Sequence, residues 1–368
     1  MRILIAPDKF KGSLTALEAA EAIAQGLREM LPDVVADIVP LADGGEGTVE
    51  VFSTWRGAER KCVNVPNALG QGVRAEFVWI PEERLAVLEM SAASGLERIP
   101  ATGRNILEAT TFGTGELIRE AMRLGPSLVA IGLGGSATND AGAGMAAALG
   151  WKFFDCEGRS LIPRPCGLAS ITKILPPEGT VFPKILALSD VKNPLLGTRG
   201  CSRIYGPQKG ATEADVILLE SQLEAFADTC ERTFGTSHRH TPGAGAAGGT
   251  GFGLLTFCNA EIVSGFDWIA ERLGLEARVA DCDLVITGEG AIDAQTLEGK
   301  GPGALARLAK KHGKPSLAFG GRVEKSAEAL FTRCFSISDP AIGLAENLAR
   351  GAQSLRAAAS KAAHSFVS

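Results

Sequence analysis

Leu284-Val285-Ile286-Thr287-Gly288-Glu289-Gly290-Ala291-Ile292-Asp293 is the stretch that decides the fold. Its first four residues are apolar or β-branched, which is typical of a buried parallel strand. Glycines and acids then interrupt the apolar run. From Pro302 the sequence becomes an Ala-, Leu- and Lys-rich helix that Gly313 can close. We therefore predict a strand, a long glycine-rich loop and a helix, an arrangement typical of open α/β sheets.

The predicted loop carries residue types that bind phosphate and a divalent metal. Gly288 and Gly290 let backbone N–H groups turn toward a phosphate. Glu289 and Asp293 offer the carboxylate oxygens that Mg²⁺ prefers, and Lys300 can neutralise phosphate charge. An ordinary βα loop has about 2–6 residues and solvated charges, so the greater predicted length favours a functional loop.

The composition indicates a globular, enzyme-sized chain and excludes several partners. The 368 residues carry a formal net charge of −5 without a basic block, so we expect neither nucleic acid nor membrane as a partner. Glycine makes up 45 of the 368 residues, against a usual share of about 7%. The eight cysteines stand singly, as in a reducing compartment. With no signal peptide or ~18-residue apolar run, we expect a cytoplasmic protein.

Two strand-to-loop transitions near the N-terminus repeat this pattern. The apolar strand 2–6 leads to Lys9 and Lys11 ahead of a predicted helix, where an anion is favoured. A second strand, 37–41, leads to Asp43 and a glycine loop. Two alternatives stay open: the lysines could be merely solvated, and Asp43 or Glu46 could cap a helix.

Helix and strand patterns change along the first third of the chain. Thr15 and Glu18 form a capping box before the first helix. From about residue 58, β-rich segments separated by Pro and Gly indicate an antiparallel start to a different domain. A further helix is predicted from Gly115 to Leu124, with Thr114 as its cap.

The segment after the strand 128–133 allows two interpretations. Gly132-x-Gly134-x-x-Ala137 matches the dinucleotide fingerprint, with Asp155 downstream, so an NAD-dependent hydroxy-acid dehydrogenase is one alternative. However, the polar residues 138–140 occupy the place where a first helical turn should pack on the sheet. We therefore interpret residues 134–140 as a loop that binds an anion or substrate.

Two later segments complete the candidate set. The strand 184–188 ends near Asp190, which is either a general base or metal ligand or a turn-initiating residue. Residues 243–253 contain a literal G-x-G-x-x-G, but no strand precedes it. We interpret that segment as a flexible lid or as a loop of close approach between domains.

The strand-end loops together indicate phosphoryl transfer. A Walker A motif, a nucleophile elbow, H-E-x-x-H and C-x-x-C are all absent from the sequence. Loops that offer Gly, Lys, Ser, Thr, Asp and Glu suit catalysis by positioning and charge neutralisation. The residues alone therefore predict a Mg²⁺–nucleotide enzyme that acts on a small anion, with a non-catalytic phosphate-binding sensor as the alternative.

These loops resemble, in order and along the whole chain, those of the bacterial glycerate kinase family. The resemblance rests on Ala-Pro-Asp-Lys-Phe-Lys-Gly-Ser at 6–13, Ala-Asp-Gly-Gly-Glu-Gly-Thr at 42–48, Gly-Gly-Ser-Ala-Thr-Asn-Asp at 134–140, Ser-Asp-Val-Lys-Asn-Pro-Leu at 189–195, Gly-Pro-Gln-Lys-Gly-Ala at 206–211 and Thr-Gly-Glu-Gly at 287–290, followed by Asp293, Gln295-Thr296 and Gly299-Lys300. One departure is Ala141, where the pattern Asn-Asp-Gly-Gly expects glycine.

The resemblance implies ATP-dependent phosphorylation of D-glycerate with Mg²⁺. The expected product is 2-phosphoglycerate, with 3-phosphoglycerate as the alternative, and a homodimer is one open oligomeric state. It also implies two α/β domains with the active site in the cleft between them. One would be flavodoxin-like (a Rossmann-like three-layer domain), formed by residues 1–60 and 258–368 with five strands in one sheet. Residues 61–257 would form an inserted mixed-sheet α/β domain.

The resemblance also suggests roles for individual residues. Asp190 would orient or deprotonate the glycerate hydroxyl, with Asp43 as the competing base and Lys9 as a further catalytic residue. Substrate binding is assigned to Lys11, Ser13, Asn139, Asp140 and Arg322. Phosphate binding is assigned to Gly134, Gly135, Ser136, Gly288, Gly290 and Lys300. Glu289 and Asp293 would hold Mg²⁺.

Overall fold

The structure is a computed structural model that describes residues 1–297 and 301–367. Lys300, a predicted phosphate ligand, therefore lies outside the described residues. Of the helices in the described part of the chain, none is both long and apolar enough to cross a membrane.

The chain folds as two compact units. Unit 1 consists of Met1–Asp43 and Phe266–Ser368, and unit 2 consists of Gly44–Gly265. Residues 44–60 and 258–265, which the sequence-based boundaries assign to the first domain, fold with unit 2. The described strands form one sheet in unit 1 and two in unit 2, and each unit has its own hydrophobic core.

The strands and helices alternate along most of the chain. In chain order, the described strands are β1 (Arg2–Ile5), β2 (Val35–Ile38), β3 (Glu59–Pro66), β4 (Gly72–Ile80), β5 (Leu85–Glu89), β6 (Leu128–Gly132), β7 (Lys152–Phe154), β8 (Ser160–Leu161), β9 (Lys173–Leu175), β10 (Lys184–Leu188), β11 (Glu261–Val263), β12 (Leu284–Ile292), β13 (Ser316–Val323) and β14 (Arg333–Ser336). The described helices are α1 (Ala16–Met30), α2 (Thr48–Ser53), α3 (Ser91–Ser94), α4 (Phe112–Met122), α5 (Ala143–Ala148), α6 (Cys201–Tyr205), α7 (Glu213–Phe234), α8 (Ala246–Cys258), α9 (Gly265–Arg272), α10 (Leu275–Asp281), α11 (Ala294–Leu297), α12 (Gly301–Lys311), α13 (Lys325–Glu328), α14 (Leu344–Ala349) and α15 (Gly351–Val367).

Unit 1 is built on a parallel sheet of five described strands. Their order is β14-β13-β12-β1-β2, and every neighbouring pair is parallel. Numbered along unit 1 alone, the order is 2-1-3-4-5, the flavodoxin-like order. The predicted flavodoxin-like sheet, made of two N-terminal and three C-terminal strands, is confirmed.

Helices cover both faces of the unit 1 sheet. Ile3 and Ile5 of β1 pack with α1 and α15. Leu4, which points the other way, packs with α10 and α12. Because both faces are buried, β1 is apolar at successive positions rather than alternating. This is the three-layer arrangement that the sequence predicts.

The structure corrects one element of the prediction for unit 1. β12 continues through Gly288 and Gly290 to Ile292, which pairs with Val323 of β13. The predicted long glycine loop is therefore wrong, and the chain leaves the strand only at Asp293. Glycine has a weak strand preference, but pairing with β13 outweighs it here. Glycine is also suited to a strand position that another backbone approaches closely.

Helix starts were predicted with mixed success. The capping box of α1 is confirmed by reciprocal hydrogen bonds between Thr15 and Glu18, of 2.9 and 3.2 Å. The predicted cap Thr114 is wrong, since α4 begins at Phe112. The Thr114 hydroxyl instead donates to Ser94 Oγ at 2.8 Å inside the core.

Unit 2 is built on a mixed sheet, as predicted for the inserted domain. The described order is β11-β10-β6-β5-β4-β3. β3, β4 and β5 pair antiparallel, whereas β5, β6, β10 and β11 pair parallel. The carboxyl ends of β5, β6 and β10 therefore lie along one edge of the sheet.

Candidate functional site

The first candidate site lies at the carboxyl edge of the unit 1 sheet, around Asp8. The Asp8 N–H donates to Gly288 O at 2.8 Å, which ties the end of β1 to β12. The Lys9 N–H donates to Asp8 Oδ1 at 2.6 Å. Burial raises the pKa of Asp8 to about 8, and the carboxylates of Asp43 and Glu289 raise it too. Three acidic side chains therefore share one strongly negative region.

Glu289 and Asp293 are linked through Thr296. The Thr296 hydroxyl donates to Glu289 Oε1 at 2.6 Å, and the Asp293 N–H donates to Thr296 Oγ1 at 3.1 Å. Arg322 Nη2 lies 3.6 Å from Asp293 Oδ2 and also pairs with Glu324. The structure thus brings together the predicted metal ligands Glu289 and Asp293 with the predicted substrate residue Arg322.

The N-terminus of α12 faces the same region. A Cβ added at Gly301 would lie 3.2 Å from Asp8 Oδ2, so the first residue of α12 contacts the Asp8 carboxyl. A helix N-terminus stabilises negative charge, which suits phosphate oxygens as well as a carboxylate. A side chain at position 301 would occupy this space.

Lys9, Lys11 and Ser13, the other residues of unit 1 predicted to be catalytic or to bind substrate, differ in their exposure and hydrogen bonds. Lys11 is exposed, and its backbone nitrogen lies 3.3 Å from the position that a Cβ at Gly290 would take. Lys9 is half-buried, and its charge opposes the upward shift in the pKa of Asp8. Ser13 donates its hydroxyl to Leu348 O at 2.6 Å, so a hydrogen bond within unit 1 accounts for that side chain without a ligand.

The carboxylates of unit 1 fit Mg²⁺ by their chemistry. Among the described residues, no group of three or more His, Cys, Asp or Glu side chains is arranged to hold a metal ion. Mg²⁺ bound with substrate phosphates typically uses only one or two protein carboxylates. The pKa of Asp8 is raised mainly by burial and further by the charges of Asp43 and Glu289, and a bound cation would offset these charges.

The second candidate site lies in unit 2, in the loop of residues 134–142 after β6. Ser136 keeps 8% of its surface exposed, whereas Thr138, Asn139 and Asp140 have 0%. The Gly135 carbonyl accepts from Leu96 N–H at 2.8 Å. Ser136 is therefore the only one of these four polar residues that keeps any exposed surface.

Asp140 anchors the loop from inside. Its carboxylate accepts hydrogen bonds from the Thr111 N–H (2.7 Å), the Thr111 hydroxyl (2.8 Å), the Thr110 hydroxyl (3.2 Å) and the N–H groups of Gly142 and Gly144 (3.1 and 3.2 Å). Burial raises the pKa of Asp140, and these hydrogen bonds oppose the shift. Asp140 was predicted to bind substrate, but its carboxylate has no exposed surface in unit 2.

The departure of Ala141 from the glycine pattern falls at a strained position. Ala141 has a φ of +52°, in the left-handed region that glycine adopts most readily. The glycine-rich start of α8 packs against this loop, and a Cβ at Gly248 would lie only 1.9 Å from Thr138 O. Residues 243–253 were predicted to form a lid or a loop of close approach between domains, whereas this close approach is made within unit 2.

Lys209 is a site residue to which sequence analysis gave no role. It is 2% exposed, and its ammonium donates to Ser136 Oγ and to Thr138 O, both at 2.7 Å. Burial lowers the pKa of Lys209 to about 8, while the Cys201 thiol and Asp140 act in the opposite direction. A basic residue within Gly-Pro-Gln-Lys-Gly at 206–210 was the available signal, but its burial follows only from the fold.

Asp190 lies just beyond the end of β10, as predicted. Its Oδ1 accepts from the Gly265 N–H at 2.9 Å, at the first residue of α9. The residue is half-buried, and this hydrogen bond fixes one carboxylate oxygen. These are the properties required of a group that orients a substrate hydroxyl.

The loop that follows Asp43 is held by a residue that sequence analysis missed. Glu89, at the end of β5, accepts from the N–H groups of Gly47 (2.9 Å) and Val49 (2.7 Å) at the start of α2. The helix-capping function considered for Asp43 or Glu46 thus belongs to a carboxylate from another strand. Only tertiary structure brings Glu89 there.

The dinucleotide alternative lacks the required geometry. After Gly132 the chain forms the loop 134–142, and α5 has only six residues. Asp155, the candidate ribose ligand, pairs with Arg159 at 2.7 Å and accepts two backbone N–H groups of the turn that follows it. Neither feature matches a strand–turn–helix unit that carries a nucleotide.

Comparison with known proteins gives a consistent result over the whole length. A family model described as "Glycerate kinase family" matches residues 3–367. Glycerate 2-kinase of Escherichia coli (strain K12) is 41% identical, over 97% of this chain and 97% of its own. Glycerate kinase of Bacillus subtilis (strain 168) is 42% identical, over 96% of this chain and 94% of its own.

A solved structure extends the similarity to three dimensions. The crystal structure of a Salmonella typhimurium LT2 protein, provisionally named glycerate kinase 2, has a TM-score of 0.86 and 40% sequence identity. The match covers 100% of this chain and 98% of the other.

Proposed function

The chain belongs to the glycerate kinase family, and from this premise we propose that it transfers the γ-phosphoryl group of ATP to D-glycerate. The reaction takes place at the 2-hydroxyl and gives 2-phosphoglycerate and ADP. The observation that carries this conclusion is the 41% identity with the Escherichia coli protein named glycerate 2-kinase, over 97% of both chains.

Asp190 serves as the group that orients the attacking hydroxyl and accepts its proton. Two observations support this role: the carboxylate stands at a strand end, and the Gly265 N–H fixes one of its oxygens at 2.9 Å. Asp43 is the competing candidate, because its charge acts on Asp8 at the carboxyl edge of the unit 1 sheet.

Lys9 and Lys11 bind the glycerate carboxylate or the phosphoryl group in transfer. Both follow β1 and precede α1, a position where an anion is stabilised. Arg322, which pairs with Asp293, is the further cation available for substrate binding in unit 1. Asn139, which was also predicted to bind substrate, is fully buried in unit 2 and donates to Ser202 Oγ at 2.9 Å, so we assign it to holding the loop.

Glu289 and Asp293 would hold Mg²⁺ by their carboxylate oxygens. When bound, the ion neutralises phosphate charge and fixes the phosphate oxygens. The Thr296 hydrogen bonds hold both acidic residues in place. Gly134, Gly135 and Ser136 in unit 2 are the positions proposed to face phosphate. Gly288 and Gly290 were predicted to do so from a loop, but they lie within β12 and are not assigned that role.

The direct test is release of ADP by the purified protein with ATP, Mg²⁺ and D-glycerate. We expect ADP to form in amounts equal to the D-glycerate consumed, and Mg²⁺ chelation to abolish it. Omission of D-glycerate measures background ATP hydrolysis. Reduction of NAD by D-glycerate, without need for ATP, would instead indicate a dehydrogenase. Binding of phosphate without turnover would indicate a sensor.

A further inference from the structure

Lys209 stands out among the buried charges of unit 2 because its partners belong to the loop proposed to face phosphate. Its position is fixed by a short turn, in which the Lys209 N–H donates to Gly206 O at 2.9 Å and the Gly210 N–H to Pro207 O at 3.0 Å. The side chain is thus presented from a rigid backbone to Ser136 and Thr138.

The hydrogen bond to Ser136 has a directional consequence. A lysine ammonium only donates, whereas a serine hydroxyl has one O–H donor and two acceptor positions. Ser136 Oγ therefore accepts from Lys209, and its own hydrogen is directed to another acceptor. Hydrogen bonding to a cation polarises the hydroxyl and strengthens it as a donor. Such a hydroxyl suits an anionic oxygen.

The loop is held in a conformation that has an energetic cost. Thr138 Oγ1 and Asn139 Oδ1 are buried, and neither has a hydrogen-bond partner among the described residues. Ala141 is in the left-handed region. Unsatisfied buried groups and strained backbone persist only where the surroundings fix them, and such features cluster at functional sites. The two Lys209 hydrogen bonds supply part of that fixation.

We propose that Lys209 is a positioning residue for phosphoryl transfer, whose buried ammonium orients and polarises the Ser136 hydroxyl toward a phosphate oxygen of ATP. Lys209 is 2% exposed and its ammonium donates to Ser136 Oγ and Thr138 O, so its role is to position Ser136 rather than to contact either substrate. This inference rests on the proposed function and adds to it the way in which unit 2 would recognise phosphate.

The test is a double-mutant cycle in the full chain. kcat and the KM values for ATP and D-glycerate are measured for wild type, Ser136→Ala, Lys209→Met and the double variant. Lys184→Met is the matched control, because Lys184 is exposed and pairs with Glu261 at the amino end of β10. Lys209→Met is chosen because an apolar side chain of similar length tolerates burial without desolvating a charge.

We expect each single variant to lower kcat/KM for ATP on the order of 100-fold, the effect of misplacing one group by about 1 Å. The kcat/KM for ATP of the double variant should equal that of the less active single variant, because both substitutions remove the same oriented hydroxyl. KM for D-glycerate and the Lys184→Met control should match wild type. Lys209→Gln, which keeps an N–H donor, should recover part of the loss.

Several results would overturn the proposal. Losses that multiply in the double variant, wild-type activity in Lys209→Met, or a change confined to the KM for D-glycerate would each do so. The proposal would also be overturned if the decrease in kcat were fully explained by a smaller fraction of folded protein. If neither Lys209→Met nor Lys209→Gln folded, Lys209 would be a stability residue and the positioning role would be refuted.

Failure of the proposed function is detected separately. If wild type released no ADP with D-glycerate, the same four proteins would be titrated with ATP by calorimetry. An ATP Kd that rises equally in both single variants, without a further rise in the double variant, would support the role of Lys209 even then. An unchanged Kd would contradict it.

Discussion

Asp190, just beyond the end of β10, and Asp140, in the loop 134–142, are two carboxylates of unit 2 that accept different sets of hydrogen bonds. Asp190 gives one oxygen to the Gly265 N–H and is half-buried. We predict that Asp190→Asn, which retains an oxygen acceptor, lowers kcat about 100-fold or more because the proton acceptor is lost. Its stability in urea should stay within about 1 kcal/mol of wild type. Wild-type turnover would remove Asp190 from the mechanism.

Asp140→Asn is the contrasting variant. In wild type, backbone N–H and hydroxyl groups donate to the Asp140 carboxylate. In the variant, an amide N–H₂ would face some of these donors. We expect a loss of about 2–4 kcal/mol in the free energy of unfolding, because a fully buried charged acceptor is removed from its donors. If Asp140→Asn instead kept full stability and lost only activity, the anchoring role would be wrong.

Asp8 predicts an unusual pH dependence of stability. Its pKa is raised from 3.8 to about 8 in the folded protein, chiefly by burial. Between these values the folded state binds more protons than the unfolded state, so the free energy of unfolding falls as pH rises. Asp8→Asn cannot titrate and therefore does not lose stability in this way. The free energy of unfolding of the variant minus that of wild type should increase from pH 5 to pH 8, by at most about 1.4 kcal/mol per pH unit.

Urea denaturation in the presence of a chelator checks this prediction. Asp33→Asn, at an exposed position after α1, is the matched control and should follow wild type. The account of Asp8 would be contradicted if Asp8→Asn lost stability relative to wild type as pH increased.

At the scale of elements, the contact between α8 and the loop 134–142 can be tested with two glycines. Gly248 and Gly235 have nearly equal φ values, +66° and +69°. A Cβ at Gly248 would lie 1.9 Å from Thr138 O, whereas no described heavy atom lies within 4 Å of one at Gly235. We predict that Gly235→Ala costs about 1–2 kcal/mol from strain alone, and that Gly248→Ala costs clearly more.

The difference between the two variants isolates the steric term. It is measured as the difference in the free energy of unfolding, with ATP turnover as a second readout, because Thr138 O also accepts from Lys209. Equal losses in the two variants would show that α8 and the loop can separate at little cost.

Strands with two buried faces were predictable and loop lengths were not. Short apolar runs such as 128–133 and 184–188 mark buried parallel strands, and the structure contains β6 and β10 there. The continuation of β12 through Gly288 and Gly290 was missed, because glycine indicates a loop locally while β13 pairs with it in three dimensions. Burial of Lys209 likewise depends on packing, which local sequence does not record.

At the scale of the whole molecule, the order of strands and loops along the chain was enough to predict where the candidate site residues lie. Residues that follow successive strands were assigned to strand ends, and the structure finds Asp8, Asp190 and the 134–142 loop at such positions. The five strands of unit 1 were predicted as one sheet although more than 240 residues separate β2 from β12. The boundary between the units was harder to predict, because the sequence pattern changes only from about residue 58, whereas unit 2 begins at Gly44.

The most direct test of the central claim is the position of the phosphate in the product. The ³¹P spectrum of the product formed from ATP and D-glycerate is recorded with proton coupling. A phosphate on the 2-hydroxyl couples to the single methine proton and gives a doublet, the result expected for 2-phosphoglycerate. A triplet, from coupling to the two methylene protons of 3-phosphoglycerate, or the absence of any new phosphate ester would contradict the assignment.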